Sequence, residues 1–136
     1  MHLLVSMKKM TKITEICDSG CGLNATLRII SGKWKPLVIF FLRGGPKRYG
    51  ELKRLIPGVS DKVLIQQLKD LEADQVLART DYKEVPPRVD YTLTPLGHSL
   101  ADAIIPLCTW GNENATQMAS IFAERDALPG GMQANR

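Results

Sequence analysis

The sequence predicts a mainly α-helical fold that carries one small β-hairpin, and three observations support this prediction. Apolar residues recur at helical spacing in four segments that end near residue 73. Two short segments of strand-like composition, residues 76–82 and 89–93, then flank a Pro-Pro pair that cannot continue a β-ladder. A last helical segment follows the hairpin. With 136 residues, the chain is expected to form one compact domain with an added helical arm.

Composition narrows the class of protein. Hydrophobic residues make up 44% of the chain, which is ample for a core, and the 24% of charged residues argues against a membrane protein or a disordered chain. No apolar run reaches the ~20 residues that a membrane-spanning helix needs. The first residues also lack the basic and apolar regions of a signal peptide. We therefore expect a cytoplasmic protein without a membrane partner.

Charge is distributed unevenly along the chain, whose net charge is +4. Residues 33–50 contain five cations and no carboxylate, whereas residues 101–126 contain four carboxylates and one arginine. A basic segment attracts a polyanion and an acidic segment is repelled by it. The two segments are therefore expected to have different roles, the first in contact with a polyanion.

The second predicted helix is expected to be the central helix of the core. Pro36 suits the first turn of this helix, and the Gly-Gly-Pro run at 44–46 ends it. Residues 37–42 between them are apolar nearly all round, which indicates burial. A shorter helix over residues 25–30 precedes it.

The third and fourth predicted helices form a helix-turn-helix pattern. The third covers about residues 49–55, Pro57 and Gly58 break it, and Ser60 is a favourable N-cap for a fourth helix that ends near Ala73. The fourth helix has an apolar side and a polar side, formed respectively by Leu64, Leu68, Leu71 and by Lys62, Gln66, Lys69. In isolation the polar side would be a solvated face. Because a hairpin follows directly, we interpret the hairpin as a wing and the polar side as a face that enters a DNA major groove.

The predicted DNA-binding residues are grouped by the part of DNA that each would contact. Gln66 suits adenine, and Lys62 or Lys69 suits guanine or phosphate. Ile65 would touch a thymine methyl group or be partly core. The groups are Ser60, Lys62, Ile65, Gln66 and Lys69 on the recognition helix, Lys83 and Arg88 on the wing, and Lys33, Lys47 and Arg48 against the DNA backbone.

Arg88 closes the hairpin tip, and two interpretations of it remain open. An arginine on a tip stiffened by prolines is well placed to enter a narrow minor groove. Alternatively, Arg88 pairs with Asp90 or Glu84 across the hairpin. We favour the minor-groove role. In the basic segment at 33–50, Trp34 is expected to lie in the core.

The last helix is expected to bury an apolar stripe in a second copy of the chain. Thr94 and Pro95 form a favourable N-cap and first position, and the helix is predicted to continue past a kink at Pro106 to about Glu124. No further predicted domain receives its stripe, so a homodimer is favoured over a ligand pocket. The predicted interface residues are Leu100, Ile104, Leu107, Met118 and Phe122.

Several motifs give the chain a family resemblance. They are TLRIISGKW at 26–34, RYGEL at 48–52, IPGVS at 56–60, LKDLEAD at 68–74 and EVPPRVDYTLT at 84–94, followed by Gly97. Over residues 21–111 the chain resembles the HxlR-type winged helix-turn-helix regulators. The resemblance implies a dimeric bacterial transcription regulator, related to the MarR type, whose N- and C-terminal helices form the dimer.

Three residues depart from the family pattern. Gln75 stands where such proteins usually have glycine, and a glutamine in a left-handed C′ position costs about 1 kcal/mol. The turn there is therefore expected to differ locally. Ile65 replaces a common serine or threonine, which is expected to change base preference. Cys17 is an addition.

The three cysteines do not form a predicted disulfide scaffold or a metal site. Cys21, just ahead of the first helix, is either a small buried residue or a reactive thiolate. The resemblance implies a role as an oxidant or electrophile sensor. Cys108 would be core filler or the resolving partner from the other subunit. In a further alternative, Cys17 takes part in redox sensing through a local bond to Cys21, although a fully helical pair four residues apart has unsuitable geometry for a disulfide.

These observations predict a DNA-binding regulator and not an enzyme, since no histidine partner, Cys-x-x-Cys motif or nucleotide loop supports a thiol enzyme. The predicted partners are double-stranded operator DNA, a second copy of the chain and a small oxidant or electrophile, with no cofactor. Repression is the default direction; a ligand-responsive or thiol-independent regulator of the same fold is the alternative. The predicted units are an arm at 1–20, the winged helix-turn-helix at 21–97, a dimerisation helix at 98–126 and a flexible tail at 127–136.

Overall fold

The computed structural model describes residues 20–129, which form six helices and three short strands. The helices are α1 (Cys21–Ile30), α2 (Trp34–Leu42), α3 (Tyr49–Leu55), α4 (Asp61–Ala73), α5 (Pro95–Glu113) and α6 (Ala115–Ala127). The strands are β1 (Lys47–Arg48), β2 (Leu77–Asp81) and β3 (Val89–Leu93). The predicted arm and tail lie almost wholly outside the described residues. Among the described helices, none combines the length and apolarity that a membrane crossing requires.

The core forms around α2, as the sequence predicts. Val38 and Ile39 of this helix are fully buried. They pack with the apolar side of α4 and with the inner residues of the sheet and of α5. The buried partners are Leu52, Ile56, Val59, Leu64, Leu68, Leu71, Val76, Leu77, Leu93, Ala101 and Ile104. Trp34 is half-buried against this cluster, which confirms its predicted place in the core.

Side-chain hydrogen bonds cap the N-termini of both helices of the helix-turn-helix. The backbone N–H of Arg48 donates to Oε1 of Glu51 at 2.9 Å, and this bond closes the first turn of α3. Ser60 Oγ accepts from the backbone N–H of Val63 at 3.2 Å, which confirms Ser60 as the N-cap of α4. Between the helices, Gly58 has φ of 86°, a left-handed conformation that favours glycine. The predicted bounds of both helices are confirmed.

The sheet has three antiparallel strands in the order β1-β3-β2, rather than the two that the sequence predicts. The wing strands pair from Leu77 opposite Leu93 to Asp81 opposite Val89. The additional strand, β1, places Arg48 opposite Asp90 on the other edge of β3. Strand β1 has only two residues, which is too short for an alternation of apolar and polar residues to reveal it in the sequence. Lys47 and Arg48 form this strand, and Arg48 is at the same time the N-cap of α3.

The C-terminal helical region is divided at Asn114 and not at Pro106. Helix α5 runs through Pro106 to Glu113, so Pro106 does not end the helix, and the kink there stays a prediction. Asn114 has φ of −111° and ψ of 14°, and its Nδ2 donates to the carbonyl of Trp110 at 2.8 Å. A short polar side chain that bonds the preceding turn competes with the helical backbone. Helix α6 then continues to Ala127.

The turn after α4 keeps the left-handed conformation despite the glutamine. Gln75 has φ of 61°, so the expectation of a different local turn is wrong. The N–H of Val76 donates to the carbonyl of Leu71 at 2.9 Å, and that of Gln75 to the carbonyl of Glu72 at 3.0 Å. These two bonds form a Schellman motif with glutamine at the position that favours glycine.

Replacing this glutamine by glycine is expected to stabilise the fold. Gln75→Gly should raise the free energy of unfolding by about 1 kcal/mol, because the Cβ that strains a left-handed residue is removed. Urea unfolding measures the change. The neighbouring Asp74→Gly is the control, since Asp74 has an ordinary φ of −80° and gains only chain entropy in the unfolded state. A loss of stability in both variants would contradict the prediction.

Candidate DNA-binding surface

The exposed face of α4 carries the predicted recognition residues together. Lys62, Gln66 and Lys69 are all exposed, whereas Leu64 and Leu68 on the opposite side are buried. Ile65 is 44% exposed beside them, so it is available to a ligand rather than enclosed in the core. The helix therefore presents two cations, an amide and one apolar side chain on a single face.

A polar cluster fixes α3 against α4. The hydroxyl of Tyr49 donates to the carboxylate of Asp61. Lys53 Nζ lies 3.4 Å from Oδ1 of Asp61 and donates to the carbonyl of Val59 at 2.7 Å. The pKa of Tyr49 is raised to about 12, mainly by burial and next by the hydrogen bond to Asp61. The hydrogen bond from Tyr49 and the charge of Lys53 lower the pKa of Asp61.

Acid is expected to weaken this cluster. Because the pKa of Asp61 is depressed in the folded state, its stabilising contribution is fully present above the ordinary carboxyl value of about 3.9. The contribution is lost as the pH falls through the lower folded value. In urea unfolding, the wild type should therefore lose more stability below about pH 4 than Asp61→Asn, whose amide does not titrate in this range. Parallel losses in the two proteins would rule out the cluster as an acid-sensitive link.

The wing arginine is held at the sheet. Arg88 Nη2 lies 3.2 Å from Oδ2 of Asp90, and the guanidinium lies 4.4 Å from the ring centroid of Tyr82. The hydrogen bond and the charge of Asp90 raise the pKa of Arg88. Asp90 is only 8% exposed, and its Oδ1 also lies 3.9 Å from Nε of Arg48. The structure thus contains the pairing that the sequence left as an alternative, and the minor-groove role of Arg88 stays a prediction.

The connection between β2 and β3 is exposed over residues 82–87. Lys83 has φ of 53°, and its backbone N–H donates to Oδ1 of Asp81 at 2.9 Å. Its side chain is exposed next to Val85, which is 98% exposed. The peptide bond between Val85 and Pro86 is cis. The wing tip therefore presents Lys83 as its accessible cation.

The three cations predicted to contact the DNA backbone lie on two elements. Lys47 and Arg48 form β1, where Lys47 Nζ donates to the carbonyl of Gly45 at 3.4 Å and Arg48 is exposed. Lys33 precedes α2, and its Nζ lies 4.7 Å from the ring centroid of Trp34. The structure brings Lys47 and Arg48 together, while no contact within the described residues joins Lys33 to them.

A groove between α4 and the sheet contains a cation that the sequence analysis did not select. The groove has a volume of about 570 Å³ and is lined by Tyr49, Ile65, Leu68, Lys69, Glu72, Arg79, Val89 and Tyr91. Arg79 is exposed and lies opposite Tyr91 in the sheet register. Arg79 lies two residues after the buried Leu77 and so on the same face of β2, and a charged side chain on that inward face is the signal that could have identified it. The cationic surface thus extends from Lys69 of α4 onto the wing.

Comparison with known proteins identifies the family. Residues 29–119 match the HxlR-like helix-turn-helix family. The chain belongs to this family. It is 50% identical over 97 residues to the uncharacterized HTH-type transcriptional regulator YkvN of Bacillus subtilis (strain 168), covering 71% of this chain and 82% of that protein. The HxlR-like match confirms the resemblance that the sequence motifs carry, and the chain is a transcription regulator with a helix-turn-helix DNA-binding fold.

Two solved structures show the same winged fold. One is described as a transcriptional regulator of the MarR family from Porphyromonas gingivalis W83, with a TM-score of 0.67 and 45% identity over 69% of this chain and 92% of that chain. The other is the redox regulator HypR in its reduced form, with a TM-score of 0.69 and 35% identity over 73% of this chain and 98% of that chain. The predicted winged helix-turn-helix is therefore confirmed for this HxlR-like chain.

The cysteines of this HxlR-like protein are distributed over three regions. Cys108 is exposed on α5, so its interpretation as core filler is wrong. Nδ2 of Asn112 lies 3.8 Å from its Sγ. Cys21 is the first residue of α1, and its side chain, like the whole of Cys17, lies outside the described part of the chain. Within residues 20–129, no group of metal-ligating side chains is arranged to hold a metal ion.

The C-terminal helices divide the predicted interface residues into two sets. Ile104 is 7% exposed and Leu100 packs against the same core, so these two residues stabilise their own chain. The burial of Ile104 removes it from the predicted dimer interface, because helical spacing identifies an apolar stripe but not the surface that covers it. Leu100 is only partly buried, and its place in the interface stays a prediction. Leu107 and Phe122 are 63% and 49% exposed, and Met118 is half-buried. Further exposed apolar residues on the helices α1, α5 and α6 are Leu23, Leu27, Trp110 and Ile121.

Proposed function

We propose that two copies of this chain bind an inverted-repeat operator in double-stranded DNA, with α4 of each copy in a major groove. The observation that carries the proposal is the exposed face of α4, where Lys62, Gln66 and Lys69 project away from the core. Ser60 begins this helix, so its N-terminal turn would approach the DNA first. Lys83 on the wing and Arg48 on β1 would contact flanking phosphates.

The apolar residues that are exposed on the helices support the proposal that the chain binds a second copy of itself. Leu107 and Trp110 of α5 and Phe122 of α6 each have about half or more of their surface exposed. Leu23 and Leu27 add a second exposed apolar strip on α1. Monomeric soluble proteins rarely expose large contiguous apolar patches, and such patches mark interaction sites. The net charge of the α5–α6 region is negative, so this region would avoid the DNA that α4 approaches.

DNA binding is tested by a gel-shift titration with promoter DNA from the genomic neighbourhood of the gene. The operator should be bound more tightly than a random duplex of the same length by about 10³-fold or more at physiological salt. Affinity should fall steeply with salt because phosphate contacts release counterions. Equal affinity for both duplexes would refute sequence-specific recognition.

Repression is the proposed direction, because a dimer on promoter DNA blocks the access of RNA polymerase. A reporter gene placed behind the operator should be expressed more strongly when the gene for this chain is deleted. Reduced expression after deletion would indicate an activator and refute the proposed direction.

A thiol-based response is proposed for the regulation of DNA binding. Similarity to the redox regulator HypR supports it, together with the exposed Cys108 on α5 and the position of Cys21 at the first residue of α1. Diamide would accept two electrons and two protons from two thiols as they form a disulfide; Cys21 and Cys108 of the second copy are the proposed pair. An electrophile such as a quinone would instead add to the Cys21 thiolate.

The thiol response is tested by operator binding before and after diamide or quinone treatment. Operator affinity should change in the wild type, Cys21→Ser should lose both responses, and Cys108→Ser should lose the disulfide response. A Cys17→Ser variant serves as the comparison and should respond like the wild type. An unchanged response in Cys21→Ser would refute the role of Cys21 and indicate another thiol, whereas a wild type that responds to neither reagent would favour a thiol-independent regulator.

A further inference from the structure

One polar chain links the recognition helix to the core helix. Gln66 Nε2 donates to Oδ1 of Asp70 at 2.9 Å, one helical turn away on α4. Oδ2 of the same carboxylate lies 3.4 Å from Nζ of Lys35 on α2. The Lys35 side chain is only 12% exposed, whereas that of Asp70 is 40% exposed. The exposed amide of Gln66 on α4 is thus connected, through one carboxylate, to the largely buried side chain of Lys35 on α2.

The carboxylate determines which end of the amide faces it. An ionised carboxylate only accepts hydrogen bonds, so the NH₂ group of Gln66, and not its carbonyl, must point to Asp70. The hydrogen bond from Gln66 and the nearby Lys35 lower the pKa of Asp70, so the carboxylate is charged at neutral pH. One N–H of Gln66 is used in this bond. The second N–H and the carbonyl oxygen remain available to a ligand.

The available donor and acceptor of Gln66 match one base. Adenine presents the N7 acceptor and the N6 amino donor side by side in the major groove, and a glutamine amide with one free N–H and a free carbonyl can bind both. A glutamine on a helix surface otherwise samples several rotamers, and ordering its side chain on binding lowers affinity. An isolated pair of this kind, four residues apart, stabilises a helix by little. Here Lys35 also holds the Asp70 carboxylate in place, which an isolated pair lacks.

We propose that Lys35 and Asp70 are positioning residues that hold the Gln66 amide in the orientation that recognises adenine. The inference rests on the proposed binding of operator DNA by α4. Within that function, it assigns the base preference of one position in each half-site and identifies two residues, neither of them directly in contact with the base, that maintain it.

The test selects binding sites from a random duplex pool with the wild type, Gln66→Ala, Asp70→Ala and the double variant. The wild type should select an A·T pair at one position of each half-site. Gln66→Ala should lower discrimination at that pair by about tenfold. Asp70→Ala should lower discrimination several-fold at the same pair, and it should cause no further loss once Gln66 is absent. Lys35→Met, which keeps the buried stem and removes the charge, should act like Asp70→Ala.

Two measurements separate positioning from a structural or purely electrostatic role. Affinity for random duplex reports folding and phosphate contacts, and it should be unchanged or slightly raised in Asp70→Ala, because a carboxylate is removed from the DNA-facing side. Asp74→Ala removes an exposed carboxylate from the end of the same helix and should leave discrimination at the adenine pair intact.

Different failures are distinguishable in this experiment. A wild type that selects no sequence would overturn the proposed function, and this inference with it. A wild type that selects a site whose preferences survive in Gln66→Ala would overturn only this inference. The same holds if Asp70→Ala weakens all duplexes alike, or if it lowers discrimination as much in the Gln66→Ala background as in the wild type.

Discussion

Gly97→Ala is expected to lower the free energy of unfolding by about 2–3 kcal/mol, the upper range for overpacking a core. Gly97 is buried in the first turn of α5, against the start of the wing. A Cβ added there would lie 2.0 Å from the carbonyl oxygen of Val76 and 3.0 Å from its carbonyl carbon. Both atoms belong to the backbone, so no flexible side chain can move aside.

The carbonyl of Val76 is also held in place by hydrogen bonds. It accepts from the backbone N–H of Thr94 at 3.0 Å and from Thr94 Oγ1 at 3.1 Å. A shift of this carbonyl would break those bonds and disturb Thr94, whose Oγ1 accepts from the N–H of Gly97 at 3.0 Å. The backbone therefore cannot relieve the strain of the added methyl group without losing these hydrogen bonds.

Urea unfolding followed by circular dichroism measures the effect. Gly50→Ala is the matched control, since a Cβ at Gly50 would meet only the flexible Nη1 of Arg54 at an ordinary 3.6 Å, and alanine favours the helix. The control should be neutral or slightly stabilising. If Gly97→Ala unfolds at the same urea concentration as the wild type, the close contact at Val76 would not exist in solution.

This junction connects α4 to the C-terminal helices. The Schellman turn that ends α4 leads directly to Val76, and Thr94 Oγ1 lies 2.7 Å from the carbonyl of Gln75 in that turn. The same threonine begins α5. A rotation of α5 would therefore reach the end of α4 through a short hydrogen-bonded path. The path offers a physical route by which the relative orientation of two copies could be coupled to the spacing of their recognition helices.

Features with local causes could be predicted from the sequence. Ser60 and Thr94 were identified as N-caps because a capping hydroxyl bonds a backbone N–H three residues later. The buried and exposed sides of α4 follow from helical periodicity alone. The wing strands follow from composition and from the prolines between them.

Features that depend on contacts distant in the sequence could not be predicted. The bond between Tyr49 and Asp61 requires the packing angle of α3 and α4. Asp90 lies near Arg48 only because β1 pairs with β3, so this contact joins residues that are distant in the sequence. The pairing of Arg88 with Asp90, two residues away, is local, and the sequence offers it as one of two interpretations.

The apolar stripe of the last helices illustrates the same limit on one element. Periodicity groups Leu100, Ile104 and Leu107, but the structure buries Ile104 at 7% exposure and leaves Leu107 at 63%. Ile104 therefore faces the core of its own chain, whereas Leu107 on the same stripe faces solvent. Burial, and not spacing, therefore selects the residues that remain to contact a second copy.

Substitution of the exposed residues is expected to weaken dimerisation without unfolding the chain. Leu107→Glu and Trp110→Ala, each on α5, should weaken dimerisation by about thirtyfold or more, the effect of removing an interface residue that contributes about 2 kcal/mol. Sedimentation equilibrium measures the dimerisation constant. Because Leu107 and Trp110 are 63% and 59% exposed in the single chain, the helical content of the variants should stay at the wild-type level.

Operator binding should fall together with dimerisation, because each monomer retains only one recognition helix for a two-fold operator. Val85→Glu is the control for an added charge at an exposed apolar site, since Val85 lies at the wing tip, away from α5. This control should remain a dimer. Ile104→Ala distinguishes the two sets of the stripe, because it should destabilise the fold by about 2–5 kcal/mol through a core cavity rather than dissociate a folded dimer. A monomeric wild type would contradict the second copy, and a fully dimeric Leu107→Glu would exclude this face as its site.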